Sequence, residues 1–193
     1  MKKLKLLSIA VLAFALSAKT SFAADENKYV IEPNHTSVVW FASHFGFSNP
    51  SGKFSEVEGS IIFDEASPQK SVVDVTIKTE SLFTGLEKFD KHLKSADFFN
   101  VDKFSTAKFV SKEIILAGKN KAKIKGDLTL LGITKTVILN AKFNKAALSP
   151  ISQKQTIGFS ATSVIKRSEF GLDYGIPGVS DEVNLMIEVE ANR

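Results

Sequence analysis

The chain has 193 residues, with 25 Lys and Arg against 21 Asp and Glu, and it contains no cysteine. Disulfides, thiol nucleophiles and a lipid-modified cysteine are therefore excluded. The basic excess belongs to the first 23 residues: without Lys2, Lys3, Lys5 and Lys19, the remaining 21 basic residues balance 21 acidic ones, so net charge points to neither nucleic acid nor an anionic membrane.

Those first residues read as a secretory signal. A basic start precedes an apolar run from Leu6 to Leu16, and Ser21-Phe22-Ala23 places small residues where a signal peptidase reads. The run is too short for a membrane span. Cleavage is expected after Ala23, leaving residues 24–193 as one domain. The bacterial periplasm is the expected destination. An exported domain of this size without disulfides must rely on its core.

Residues 29–32 form the first expected strand, and Pro33-Asn34 a turn. Residues 36–44 follow as a second strand, with Thr36, Val38, Trp40, Ala42 and His44 on one face. That face carries the bulkiest ring and is expected to point inward, His44 included. The opposite face carries Phe41. Residues 46–52 read as a loop, and residues 59–64 as a strand ended by Ser67-Pro68. Val73, Val75, Ile77 and Thr79 then alternate with polar residues, the pattern of a half-buried antiparallel strand.

The segment Asp90-Lys91-His92-Leu93-Lys94-Ser95-Ala96-Asp97-Phe98-Phe99 breaks this rhythm. Phe89 and Leu93 are four apart, so a helical turn puts them on one side. An amphipathic insertion among strands reads either as the lid of a cavity or as a surface turn with buried Phe anchors.

Strands resume at residues 107–116, turn at Gly118-Lys119-Asn120-Lys121, and continue through Leu128 and Leu130 to a turn at Gly132 and Thr134. Val137, Leu139, Ala141 and Phe143 form one inward row, and Ile157, Phe159, Ala161, Ser163 and Ile165 another. A loop with Gly171, Gly175, Pro177 and Gly178 precedes the last strand, whose inward row is Val183, Leu185, Ile187 and Val189. Eight or nine strands, each with one apolar face, must close on themselves to bury that face and protect their edges. The fold class is all-β: a single antiparallel barrel of about eight strands with one short helical insertion near its mouth.

Catalytic and metal signatures are weak. There is no nucleophile elbow. The three histidines, His35, His44 and His92, show no metal-binding spacing. The lysines of residues 119–125 alternate as the wet face of a strand, without the interleaved aromatics of a nucleic-acid surface. What remains is the interior. After residue 23 there are fourteen Phe, and Phe adds area without a hydrogen-bonding tip. Such rings either line a site for a long apolar ligand or fill a dry core.

The central segment Asp90 to Phe99 resembles the signature of the YceI-like family of bacterial polyisoprenoid-binding proteins. His35-Thr36-Ser37, His44-Phe45-Gly46, Gly52-Lys53-Phe54 and Gly59 fall in the matching order. So do the run Gly126 to Lys135, Arg167-Ser168-Glu169-Phe170-Gly171 and Asp181-Glu182-Val183. The resemblance spans residues 28–191 and departs at Phe41, where a polar outward residue is expected. It implies an elongated, eight-stranded lipocalin-like barrel whose pocket holds one isoprenoid or fatty-acyl chain. It brings no catalytic residues, metal or cofactor. Members are commonly periplasmic, and some are tied to stress responses or to quinone-using membrane cytochromes.

On this reading the pocket is lined by Val38, Trp40, Ile61, Phe63, Val75 and Ile77, with Leu93, Phe98, Leu128, Leu130, Phe143 and Phe159. His44, Asp90, His92 and Arg167 are the head-group candidates at the mouth. The protein is expected to be a monomer or homodimer that binds no nucleic acid. The alternatives are a lipid-modifying enzyme using His44 or His92, and an interaction module with a filled barrel acting through Phe41.

Overall fold

The computed structural model describes residues 26–193; the leader expected over residues 1–23 lies outside them. The strands are β1 (Lys28–His44), β2 (Ser51–Phe54), β3 (Val57–Ile62), β4 (Val72–Lys78), β5 (Leu82–Phe83), β6 (Thr106–Leu116), β7 (Lys121–Leu130), β8 (Ile133–Leu148), β9 (Gln155–Lys166) and β10 (Val179–Asn192). One helix, α1 (Glu87–Lys94), interrupts them. The sheet runs β10-β9-β8-β7-β6-β4-β3-β1, and β1 pairs again with β10. Eight strands therefore close an antiparallel barrel. The short β2 and β5 extend the wall at one end, β2 beside β1 and β5 beside β2.

The expected strands at 29–32 and 36–44 are one strand. Pro33 cannot donate to the ladder, so the chain bulges, and pairing with β10 shifts between Glu32 and Ser37. The Glu32 carboxylate bridges the bulge by accepting from the backbone N–H groups of Asn34 (3.2 Å) and His35 (2.9 Å). The loop expected over residues 46–52 is shorter, because β2 starts at Ser51. Gly52 hides that strand in the sequence, yet the packing requires it. A Cβ there would lie 2.6 Å from Trp40 Cζ2, so only glycine lets the indole lie against this wall.

The central helix begins earlier than the polar segment suggests and ends at Lys94, where Ser95 Oγ donates to the His92 carbonyl (2.7 Å). Leu93 is its buried residue, and Phe89 packs edge-on to Trp40. α1 therefore lies across the end of the barrel where β1 finishes and β2 begins. At the same end, Leu131 and Gly132 take positive φ and make the two-residue turn from β7 to β8. The opposite end carries the β6–β7 and β8–β9 hairpins.

The buried apolar cluster includes Trp40, Phe54, Leu82, Leu93, Leu130, Phe170 and Leu172 near the helix end, and Ile31, Ile61, Phe63 and Ile157 toward the other. By contrast, the inward rows of β10 (Val183, Leu185, Ile187, Val189) are only half-buried. Alternation alone would bury them. They stay partly accessible because the barrel they face is hollow.

Candidate functional site

Two cavities occupy the barrel. The lower one, about 410 Å³, lies toward the hairpin end and is walled by Ile61, Phe63, Val75, Phe143 and Phe159. Phe63 stacks on Phe143 (5.4 Å between ring centres, 28° between planes) and meets Phe159 edge-on at 5.4 Å. The upper one, about 530 Å³, lies under α1 and is walled by Trp40, Phe54, Leu93, Phe98, Phe99 and Leu130. Val38, Ile77, Leu128 and Leu185 line both, and so form a waist between them. Each volume falls in the range of small-molecule sites. All twelve pocket residues named from the sequence lie in the wall of one or both cavities. Ten of them come from strands around the barrel (Phe63 from the residue just past β3), where period-two alternation turns each inward, while Leu93 on α1 and Phe98 in the turn after it close the upper cavity from above.

The four head-group candidates part company. His44, His92 and Arg167 line the upper cavity, whereas Asp90 lines neither. Asp90 Oδ1 accepts from Thr84 N (2.7 Å) and Thr84 Oγ1 (2.5 Å), which fixes the chain entering α1. Its place on the helix turns it toward that entry rather than the mouth. His44 is exposed, not inside: it is the last residue of β1, and its ring meets Phe45 edge-on at 4.8 Å. The strand ends there, so the inward alternation has no further wall to face.

His92 sits at the rim. Its Nε2 lies 3.1 Å from Asp97 Oδ2, and its ring packs against Phe98 (5.1 Å) and Tyr174 (5.4 Å). Tyr174 also lines the upper cavity and was not singled out from the sequence, where it is one tyrosine in a glycine-rich loop.

Arg167 is buried and its donors are heavily committed. Nε donates to the Ser180 carbonyl (2.8 Å), Nη1 to those of Leu172 (2.7 Å) and Tyr174 (2.9 Å), and Nη2 to that of Val179 (3.0 Å). Four of its five N–H groups thus hold the 171–180 segment against the barrel. Burial pushes the guanidinium pKa down, with Asp181 and Asp173 opposing the shift. Asp181 in turn accepts from Ser168 N and Ser168 Oγ (both 2.9 Å). The Ser168 amide in particular holds its carboxyl below the usual range. Arg167 therefore acts first as a clamp on the loop that roofs the upper cavity, and offers a phosphate little free donor capacity.

Trp40 Nε1 is a buried donor with no hydrogen-bond partner among the described residues. Most buried polar atoms are paired, so this is an exception within the upper wall. Elsewhere, Glu32, His35 and Glu190 bring three possible metal-ligating atoms within 4.8 Å of one another. His35 Nδ1 is 2.7 Å from Glu32 Oε2 and 3.8 Å from Glu190 Oε2. The same Glu32 carboxylate braces the β1 bulge, which accounts for its geometry.

Comparison with known proteins matches these features. The YceI-like domain covers residues 29–191. An UPF0312 protein of Photorhabdus laumondii is 38% identical over 193 residues, covering 100% of this chain and 99% of that protein. One of Pseudomonas putida strain W619 is 39% identical over 175 residues, covering 91% and 90%. Among solved structures, the YCEI protein of Campylobacter jejuni is 37% identical, with a TM-score of 0.70 over 78% of this chain and 89% of that one. A polyisoprenoid binding domain from Saccharophagus degradans shares the fold at 13% identity, with a TM-score of 0.64 over 85% and 97%. The barrel, its capping helix and the sequence match together place the chain in the YceI-like family.

Proposed function

We propose that the barrel binds a long apolar lipid in the periplasm, as carrier or store. The ligand class is an isoprenoid chain, such as a quinone or polyprenyl tail, or a fatty-acyl chain. One observation carries this reading: two ring-lined cavities meet at a shared waist, so the hollow is long and apolar. Burying each ligand CH₂ contributes about 0.8 kcal/mol, so a long tail binds tightly without polar contacts. The polyisoprenoid binding named for the Saccharophagus degradans domain, which has this fold, supports the same ligand class.

The upper wall holds His44, His92 and Tyr174 at the rim, with the unpartnered Trp40 Nε1 behind, whereas the polar groups of the lower cavity include Glu65, Lys119, Asn120 and Lys121. The unpartnered Trp40 donor favours a head group in the upper cavity, with the tail running through the waist into the lower one. A quinone carbonyl would suit His92, whose ring is held by Asp97 on one side and by Phe98 and Tyr174 on its edges.

Native mass spectrometry of protein from gently lysed cells, followed by organic extraction, should show a co-purified lipid. A bare protein mass that also fails to take up added polyprenol would sink the proposal. Leu128→Trp at the waist should weaken a long polyprenol about tenfold or more, because the inserted ring fills the passage. It should leave a ten-carbon chain, which fits one cavity, little changed.

A further inference from the structure

We infer that the hairpin end of the barrel docks on an anionic lipid surface. This goes beyond the carrier reading and does not depend on what fills the cavity. Residues 114–168 contain ten Lys and Arg and a single acid, Asp127. That acid is taken, since Asp127 Oδ2 pairs with Lys112 at 2.6 Å. The fold brings much of this basic stretch to one end. Lys121 on β7 stands directly opposite Lys142 on β8. Lys119 lies in the β6–β7 turn, and Lys145 and Lys154 flank the β8–β9 hairpin. None of these five is in an ion pair among the described residues. Like charges facing across a ladder destabilise it, so this arrangement calls for an anionic partner.

The partner is a lipid surface because the same tips expose apolar side chains. Ile151 is 91% exposed at the tip of the β8–β9 hairpin, and Leu148 beside it is 52% exposed. Leu116, ending β6, is 53% exposed. The two tips are tied together: Phe143 N donates to the Asn120 carbonyl at 2.8 Å and Asn120 Nδ2 to the Phe143 carbonyl at 3.3 Å. Beyond that tie, residues 144–148 carry the β8–β9 hairpin past its neighbour by about 15 Å at a strand's rise per residue. Apolar tips ringed by lysine are the chemistry of insertion among anionic head groups. Lys119, Asn120 and Lys121 also border the lower cavity, with Glu65 as the one acid in its lining, so the docked face is the one on which that cavity opens.

The test is flotation of the purified protein with vesicles of phosphatidylcholine alone, and with roughly a quarter phosphatidylglycerol added. Binding should need phosphatidylglycerol and fall with salt. Lys142→Glu with Lys145→Glu should weaken it about tenfold or more, and Ile151→Ser should weaken it further. Phe47→Ser, at the exposed turn of the helix end, should leave it unchanged. Equal binding to both vesicles, or loss with Phe47→Ser instead, would overturn the inference. So would a preference for a DNA duplex over either vesicle. Lipid content by native mass spectrometry separates the two proposals: the lysine variant keeps its cavity ligand while losing the vesicles. If that variant misfolds, the salt and lipid dependence of the unaltered protein still decides.

Discussion

At the helix end, α1 and the 171–180 segment close over the upper cavity with rings and with a buried guanidinium whose bonds are nearly all used. At the hairpin end, the lower cavity is bordered by Glu65 and by Lys119 and Lys121, which form no ion pair among the described residues. The contrast separates charge spent on holding the fold from charge left available to a partner. Arg167 and Asp181 belong to the first kind; Lys119, Lys142 and Lys145 belong to the second. Substitutions at the two ends should therefore fail in different ways.

The largest effect is expected from Arg167→Ala. It strips donors from four carbonyls at once, and removing a buried charged donor that leaves its partners unsatisfied costs on the order of 3 kcal/mol or more. Denaturant melts should show the drop, and proteolysis should find the 171–180 segment first. A loss under about 1 kcal/mol would mean the clamp is not what holds the roof.

Gly52→Val comes next. A Cβ at this position would stand 2.6 Å from the Trp40 ring. Overpacking of that kind costs about 2 kcal/mol. Trp40 is the single tryptophan, so its emission reports directly on the displaced indole. Unchanged emission and stability would mean that β2 yields instead of the ring.

Lys142→Glu should act in the other direction. It replaces a like-charge pair with Lys121 by an opposite one, so the isolated protein should gain about 0.5 kcal/mol or less while vesicle binding falls. Loss of stability here would show that the hairpin end, too, uses its charges internally.

The smallest effect is in acid. Because the Asp181 carboxyl is held below its ordinary pKa, its contribution is fully present above the ordinary carboxylate range. It is lost as pH falls through the depressed value. Asp181→Asn should therefore lower stability slightly near neutral pH and flatten the acid limb of the stability curve. A parallel shift at all pH values would assign Asp181 a purely steric part.

Much of the barrel was legible because alternation is local. Val73, Val75 and Ile77 announce an inward face wherever the strand ends up. What escaped was decided by partners far along the chain. Pro33 reads as a turn, yet β10 on the other side keeps residues 28–44 one strand. Gly52 reads as loop until the Trp40 ring is seen to occupy its missing side chain. The same division holds at the site. The ten apolar wall residues on or just beside strands follow from the direction of alternation, and Leu93 and Phe98 from the amphipathic insertion, but the polar candidates do not. Direction places a side chain on a face; hydrogen-bond partners decide what it is free to do. His44 fell on the rim because its strand stops there, and Asp90 and Arg167 found internal partners that sequence spacing does not show.

By itself, the sequence determined the antiparallel pattern, the apolar interior, the helical insertion and the family. It also determined that the charges balance after residue 23. Only the tertiary structure decided that the interior is hollow and waisted, and which charged groups are spent on internal partners. Hydropathy is a property of each residue and survives in one dimension. Volume and electric field are sums over residues that only closure of the sheet brings together.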